Sequence, residues 1–330
     1  MILGLTENPM SRNFFVLSLE TPPYDRSKSI VVPDYTPTGD VICTYLSILF
    51  GKRFDNHGRL ESDGLFFLPR ISERWSPCNP SLSFNNHKPR PDLSIPLNLD
   101  EVRRIAPFLE ENRVDLRSEL FLRSAGRFYL HALQEAESQP EVAFLDLITC
   151  AEILANYFEY DQDDLLDDQI KQDLTRIVEK LDDGVAIARR IRGRLFQVRR
   201  KFTNTLLHLL SPYFFQQTEA SEKFCALKKD DIATRIKAAY DLRSRYIHTG
   251  LDFGKWIMQR NAYNQEVHIG IPVVDDHEFR DLLVKAPTFL GLERIMRFCL
   301  LRFMHLYGSP IDDRLAGEGL PRNGIGGNDE

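Results

Sequence analysis

The chain has 330 residues, 43% hydrophobic and 27% charged, with a formal net charge of -6. This composition suits one large or two modest globular units and excludes a protein that coats duplex nucleic acid with its whole surface, which is usually basic. The 5 cysteines are scattered without a C-x-x-C pair, which argues against a zinc ribbon or a disulfide framework.

The longest clean apolar run, residues 41–50, is too short for a bilayer. The N-terminus lacks the basic-then-apolar pattern of a secretory leader. The expectation is a protein of the reducing cytoplasm with no membrane role. Nothing matches a P-loop, a dinucleotide fingerprint or a G-x-S-x-G elbow, and neither a metal nor a cofactor is expected.

In chain order, residues 13–20, 29–33 and 64–71 read as short strands. Residues 40–54 read as a helix, with Asp40 as its cap and Gly51 as its stop. Residues 74–96 hold five prolines and read as neither central strand nor helix, but as the end of a small α+β unit or a wrapping linker. From about residue 100 helical periods take over: a run opened by Asp100, then 115–137, then a helix opened by Pro140 that is apolar nearly all round and so expected to be buried. An acidic helix and a basic one follow, then a helix from 231 to 250 and a last one over about 277 to 307. Asp275 or Asp276 is expected to cap the last. The reading is mainly α: an N-terminal α+β unit over 1–105, a helical bundle over 106–308, and a flexible Gly-rich tail over 309–330.

The helix over 231–250 carries the functional question. Ile232, Ile236, Tyr240 and Ile247 lie within one stripe at about 100° per residue, and Arg243 falls inside it. A guanidinium cannot shed its charge, so on a packing face it needs an acid, a partner surface or a water-filled cleft. Two readings stand: a structural ion pair, or an anion site at the mouth of a groove. Asp230 or Asp231 can cap the helix start, and Gly250 stops it. His248 sits at the negative end of the helix dipole, a place that suits a capping histidine and equally a general acid or base. Glu152, in the apolar helix, either pairs with Arg243 or shares an exposed face with Asp146 and Asn156.

The basic helix holds Arg189, Arg190, Arg192, Arg194, Arg199, Arg200 and Lys201, with Ile187, Ile191, Leu195, Val198 and Phe202 on one stripe. It reads either as a groove for an RNA backbone or as a solvated face neutralised by the acidic run from Asp161 to Asp173.

Arg243 to His248, "RSRYIH", has the form of the R-x4-6-H motif, and "YDLRSRYIHTG" resembles the Apea-like branch of the HEPN superfamily of helical ribonucleases and toxins. Residues 127–154 resemble that branch's first helices and residues 292–308 its closing helix, so the resemblance spans roughly 111–307. It implies a HEPN-type bundle and a metal-independent endoribonuclease of bacterial anti-phage or abortive-infection systems. In that chemistry a ribose 2′-OH attacks the adjacent phosphate and leaves a 2′,3′-cyclic phosphate and a 5′-OH.

The resemblance further implies catalytic roles for His248, as general acid or base, and Arg243, on the scissile phosphate. Ser244 would support them, Glu152 would orient Arg243, and Arg245 with the basic helix would bind RNA. One motif per chain implies a homodimer; the N-terminal unit, which lies outside the resemblance, is expected to sense a trigger, such as a phage-derived one or a partner protein, or to hold the nuclease in check. The alternative is a non-catalytic module of the same family that binds RNA, nucleotide or a protein partner. One departure stands out: the tyrosine found two residues after the histidine in toxins silenced by AMPylation is Gly250 here.

Overall fold

The computed structural model describes residues 15–18, 20, 34–62, 64–69, 79–110, 113–161, 165–194, 198–258 and 264–317, with the side chains of 192–194 left aside. The fold is mainly α, with one two-stranded antiparallel hairpin of β1 (Glu61–Ser62) and β2 (Leu65–Phe66). The strand expected over 29–33 and positions 13, 14 and 19 of the one expected over 13–20 lie outside the described residues, and residues 15–18 form no regular element.

Helix α1 spans Thr36–Phe50, four residues longer at its start than its periodicity suggests. Pro37 in its first turn presets a helical φ, and Asp34 accepts hydrogen bonds from the Thr36 N–H and hydroxyl just before it. Asp40 therefore lies inside the helix and accepts from Asn56 instead of capping. Gly51 ends α1 at φ 61, and a Cβ there would lie 2.5 Å from Nε of Arg297, so only glycine fits.

From residue 79 onward the proline-rich stretch lies as a strap on the helices. Its Leu82, Phe84, Leu93 and Ile95 are buried in the same core cluster as the helices. The boundary near residue 105 does not divide that core. The run opened by Asp100 forms two 3-10 turns, Leu99–Arg104, capped by Asn98, and Ala106–Phe108, with Ile105 between them and Pro107 inside the second.

Helices α2 (Leu116–Glu135, capped by Asp115) and α3 (Pro140–Tyr157) form a tightly packed hairpin, and α3 is buried along most of its length as its apolar surface requires. The acidic helix is α4 (Asp168–Lys180, capped by Asp167), followed by α5 (Gly184–Arg194) and α6 (Val198–Leu209). Helix α7 (Ile232–Thr249) ends at Gly250 in the left-handed conformation, and the one-turn α8 (Gly254–Ile257) follows. The single last helix expected from sequence is two, α9 (His277–Lys285) and α10 (Phe289–Tyr307). Pro287 separates them, and Asp276 and Thr288 cap them. The tail is ordered further than its composition suggests. Ile311 and Leu315 are buried, and Arg314 reaches the Ser94 carbonyl; residues 318–330 lie outside the described residues. Among the described residues no helix is long and apolar enough to cross a membrane.

The centre of the fold is ionic. Helix α10 is buried almost all round, yet carries Glu293, Arg294 and Arg297. Buried charges need partners, and these find them on the strap and nearby turns. Arg90 reaches both oxygens of Glu293 at 2.9 and 2.5 Å, contacts Glu219, and donates to the Gly51 carbonyl at 2.9 Å. Tyr129 donates to Glu293 at 2.5 Å. Arg297 donates to Asp92 at 3.1 Å and to the Leu49 carbonyl at 2.9 Å. Arg294 donates to Glu266 at 2.9 Å and to the carbonyls of Phe214 and Gln217. Lys52 donates to the Ser83 carbonyl and to Asn86. Lys52, Arg90, Arg294 and Arg297 thus balance Asp92, Glu219, Glu266 and Glu293.

This cluster sets a pH dependence. Burial pushes the Glu219 carboxyl up to about 7, against the pull of Arg90. Burial, aided by Arg90, draws the Lys52 ammonium down to about 7. A raised carboxyl adds stability below its unfolded value and loses it as pH climbs toward 7. A depressed ammonium adds stability above its unfolded value and loses it as pH falls toward 7. Thermal melts are therefore expected to show a shallow minimum of Tm near pH 7. Glu219→Gln should flatten the limb between about pH 5 and 7; an unchanged limb in that variant would count against the assignment.

Candidate active site

Helix α7 places the motif. Ile236, Ala239 and Leu242 are fully buried and fix its rotation about its own axis. Asp231 occupies the cap position without a side-chain cap; it accepts from Nε of Arg235 at 2.7 Å instead. Ile247, expected on the packed stripe, is 51% exposed because the helix runs past the core in its last turn.

Arg243 projects from the packed side toward α3, where Glu152 lies 3.7 Å away, with side-chain exposures of 28% and 20%. The pairing reading of Glu152 is the one realised. Asp146, by contrast, meets His131 of α2 at 2.6 Å, and Asn156 is exposed. The Arg243 guanidinium also stands 5.9 Å from the centre of the Tyr240 ring. Tyr240 bonds to Glu152, and burial with the Glu152 charge beside it pushes the phenol above its ordinary range. The ring of Tyr240 packs on the buried Phe202 at 5.2 Å. Tyr240 belongs to the site, and sequence reading placed it only as an apolar stripe position; its signal was the three-residue spacing to Arg243 on one helix face.

His248 is exposed, and among the described residues it makes no hydrogen bond or ion pair. Five residues along a helix separate two side chains by about 7.5 Å of rise and about 140° of rotation. Arg243 and His248 therefore leave α7 in different directions. His248 points along the outward side that also carries Lys237 and Asp241. That side borders a groove of about 400 Å³ lined by Arg199, Lys237 and Lys285 against Asp241, Glu278 and Asp281. The balanced charge of this groove gives it no pull on a phosphate backbone. Ser244 is half-buried between the two motif residues.

The arginines expected to bind RNA divide. Arg245 is committed to α9, contacting Asp276, lying 3.8 Å from Glu278 and stacking over Phe279. Arg199 pairs with Asp241 at 2.7 Å, and Arg200 with Asp167 at 2.9 Å. For Arg200 the acidic run supplies the neutralising charge, as the solvated-face reading requires. Lys201 is partly buried, which lowers its ammonium against the charge of Glu159. Arg189 and Arg190 are exposed. The side chains of Arg192 and Arg194 lie outside the described residues, as does Leu195. On the apolar stripe Phe202 is fully buried while Val198 is 43% exposed.

Comparison with protein-family models, with curated proteins and with solved structures found no match to this chain.

Proposed function

We propose that the chain is a metal-independent endoribonuclease of the HEPN type that acts in bacterial defence against phage, with Arg243 and His248 as its catalytic pair. The observation that carries this reading is the state of Arg243. The arginines of the ionic centre, Arg90, Arg294 and Arg297, each donate hydrogen bonds to a carboxylate and to backbone carbonyls. Arg243 makes no hydrogen bond among the described residues and keeps an open side. A guanidinium with unused donors suits binding of an oxyanion, and an exposed imidazole farther along the same helix suits a proton carrier.

In the proposed reaction the 2′-oxygen forms a bond to phosphorus as the P–O5′ bond breaks. His248 takes the 2′-OH proton, a second His248 from another copy of the chain gives a proton to the leaving 5′-oxygen, and Arg243 holds the charge that builds on the phosphate. A homodimer, an RNA substrate and a trigger arriving through the N-terminal region belong to this proposal.

The alternative is a module that binds RNA, nucleotide or a protein partner without cutting. It needs Arg243 but not His248. Substituting each residue separates the two: cleavage lost in both variants supports the nuclease, and full cleavage in both overturns it.

Among the described side chains of the basic helix, Arg189 and Arg190 are the exposed arginines without a carboxylate partner. Replacing both by Ala is expected to lower the slope of log affinity against log salt for single-stranded RNA by about 1.4. The same change at the already neutralised Arg199 and Arg200 should lower it less.

A further inference from the structure

We infer that Glu152 is a specificity residue that makes the Arg243 site accept a phosphodiester and reject a terminal or free phosphate. The inference rests on the reading of Arg243 as a phosphate ligand, and it concerns the charge that the site tolerates.

The geometry sets two charges of opposite sign side by side at the surface, 3.7 Å apart and each partly exposed. This is looser than the hydrogen-bonded pairs of the ionic centre, where Arg90 meets Glu293 at 2.5 Å and Arg294 meets Glu266 at 2.9 Å. The carboxylate is the fixed partner. Glu152 sits on α3, whose Ile148, Ala151 and Leu154 are fully buried, and it is tied to Tyr240, whose ring is held against Phe202. Arg243 is the adjustable partner, with a long side chain and no hydrogen bond among the described residues to anchor its end.

An anion that reaches Arg243 therefore comes close to a carboxylate that does not move away. A diester carries one negative charge. Inorganic phosphate or a terminal monoester carries up to two near neutral pH. The repulsion from Glu152 scales with that charge, while the attraction of a single guanidinium falls short of neutralising a dianion. A carboxylate so placed thus penalises the dianion more than the diester. The consequence is a site that binds internal phosphates of a chain and is not blocked by phosphate, nucleoside monophosphates or strand ends.

The test uses the full chain and two probes: inorganic phosphate, and a 2′-deoxy dinucleotide, a diester that lacks the attacking hydroxyl. Glu152→Gln keeps an acceptor for Tyr240 and removes the charge. It is expected to tighten inorganic phosphate about tenfold and the dinucleotide about threefold, by calorimetric titration at low salt. Glu152→Ala should move both in the same direction, which guards against an effect of the glutamine itself. Arg243→Ala should abolish both. Equal tightening of the two probes, or none, overturns the inference, as does phosphate binding that survives Arg243→Ala. RNA cleavage is measured separately. A wild-type chain that cuts no RNA but shows the selective tightening defeats the nuclease reading and leaves this one standing. Cleavage that needs Arg243 and His248, with no selective tightening in Glu152→Gln, does the reverse.

Discussion

Arg90→Ala is expected to remove about 3–5 kcal/mol of folding stability, read from urea or thermal unfolding. The size follows from what stays behind. Glu293 and Glu219 are fully buried, and Arg90 is the cation both of them touch. Without it two carboxylates remain buried, and among the described residues Glu293 keeps only the hydroxyl of Tyr129 as a hydrogen-bond partner. Leaving a buried charge uncompensated is among the few single changes that reach this magnitude. The strap would lose its bond to Gly51 in the same step, so the loss should spread to α1. An informative contrast is Arg113→Ala. Arg113 pairs with Glu110 at 2.9 Å with both side chains well exposed, and such pairs are worth about 0–1 kcal/mol. Similar costs for the two variants would mean that the ionic centre is not the keystone described.

His248→Ala is expected to lower RNA cleavage by about 10²–10⁴ with little change in stability, because the imidazole is exposed and bonds to nothing among the described residues. Arg243→Ala is expected to lower it by about 10²–10³. Arg243→Lys should not restore the rate, since an ammonium lacks the planar fork that matches a phosphate. Cleavage measured under single-turnover conditions separates these losses from weaker RNA binding. Loss with Arg243→Ala but none with His248→Ala would mean that cleavage does not use His248 as its proton carrier, and would overturn the role given to that residue.

Local chemistry made much of the fold legible. Pro140, Asp115 and Gly250 mark helix ends that the structure keeps, because each acts through its own backbone neighbours. Where the start signal lay outside the apolar period the reading slipped, as at α1, which Asp34 and Pro37 open ahead of Asp40. Asp40 looked like a cap, yet it is claimed by Asn56. The split between α9 and α10 was written in Pro287, but the apolar period continues across it and masked the break.

The ionic centre was the largest omission. Its ion pairs join residues up to 205 positions apart, as Asp92 and Arg297 are. No periodicity links "KPRPD" to "LERIMR". The signal was nonetheless of the kind applied to Arg243: charges on a helix apolar on every side must be buried and must find partners. At the site, the position of Arg243 on the packing face and the acid beneath it were both readable. The Tyr240 bridge and the commitment of Arg245 to α9 were not, because they depend on how α3 and α9 pack against α7.

The central claim, that Arg243 and His248 form a metal-independent ribonuclease half-site, is tested most directly by the ends of the RNA it makes. Single-stranded RNA incubated with the full chain in excess chelator should be cut to fragments ending in 2′,3′-cyclic phosphate and beginning with 5′-OH, and His248→Ala should yield none. Intact RNA with the wild-type chain, cleavage only when a divalent metal is restored, or products bearing 3′-OH and 5′-phosphate would contradict the account.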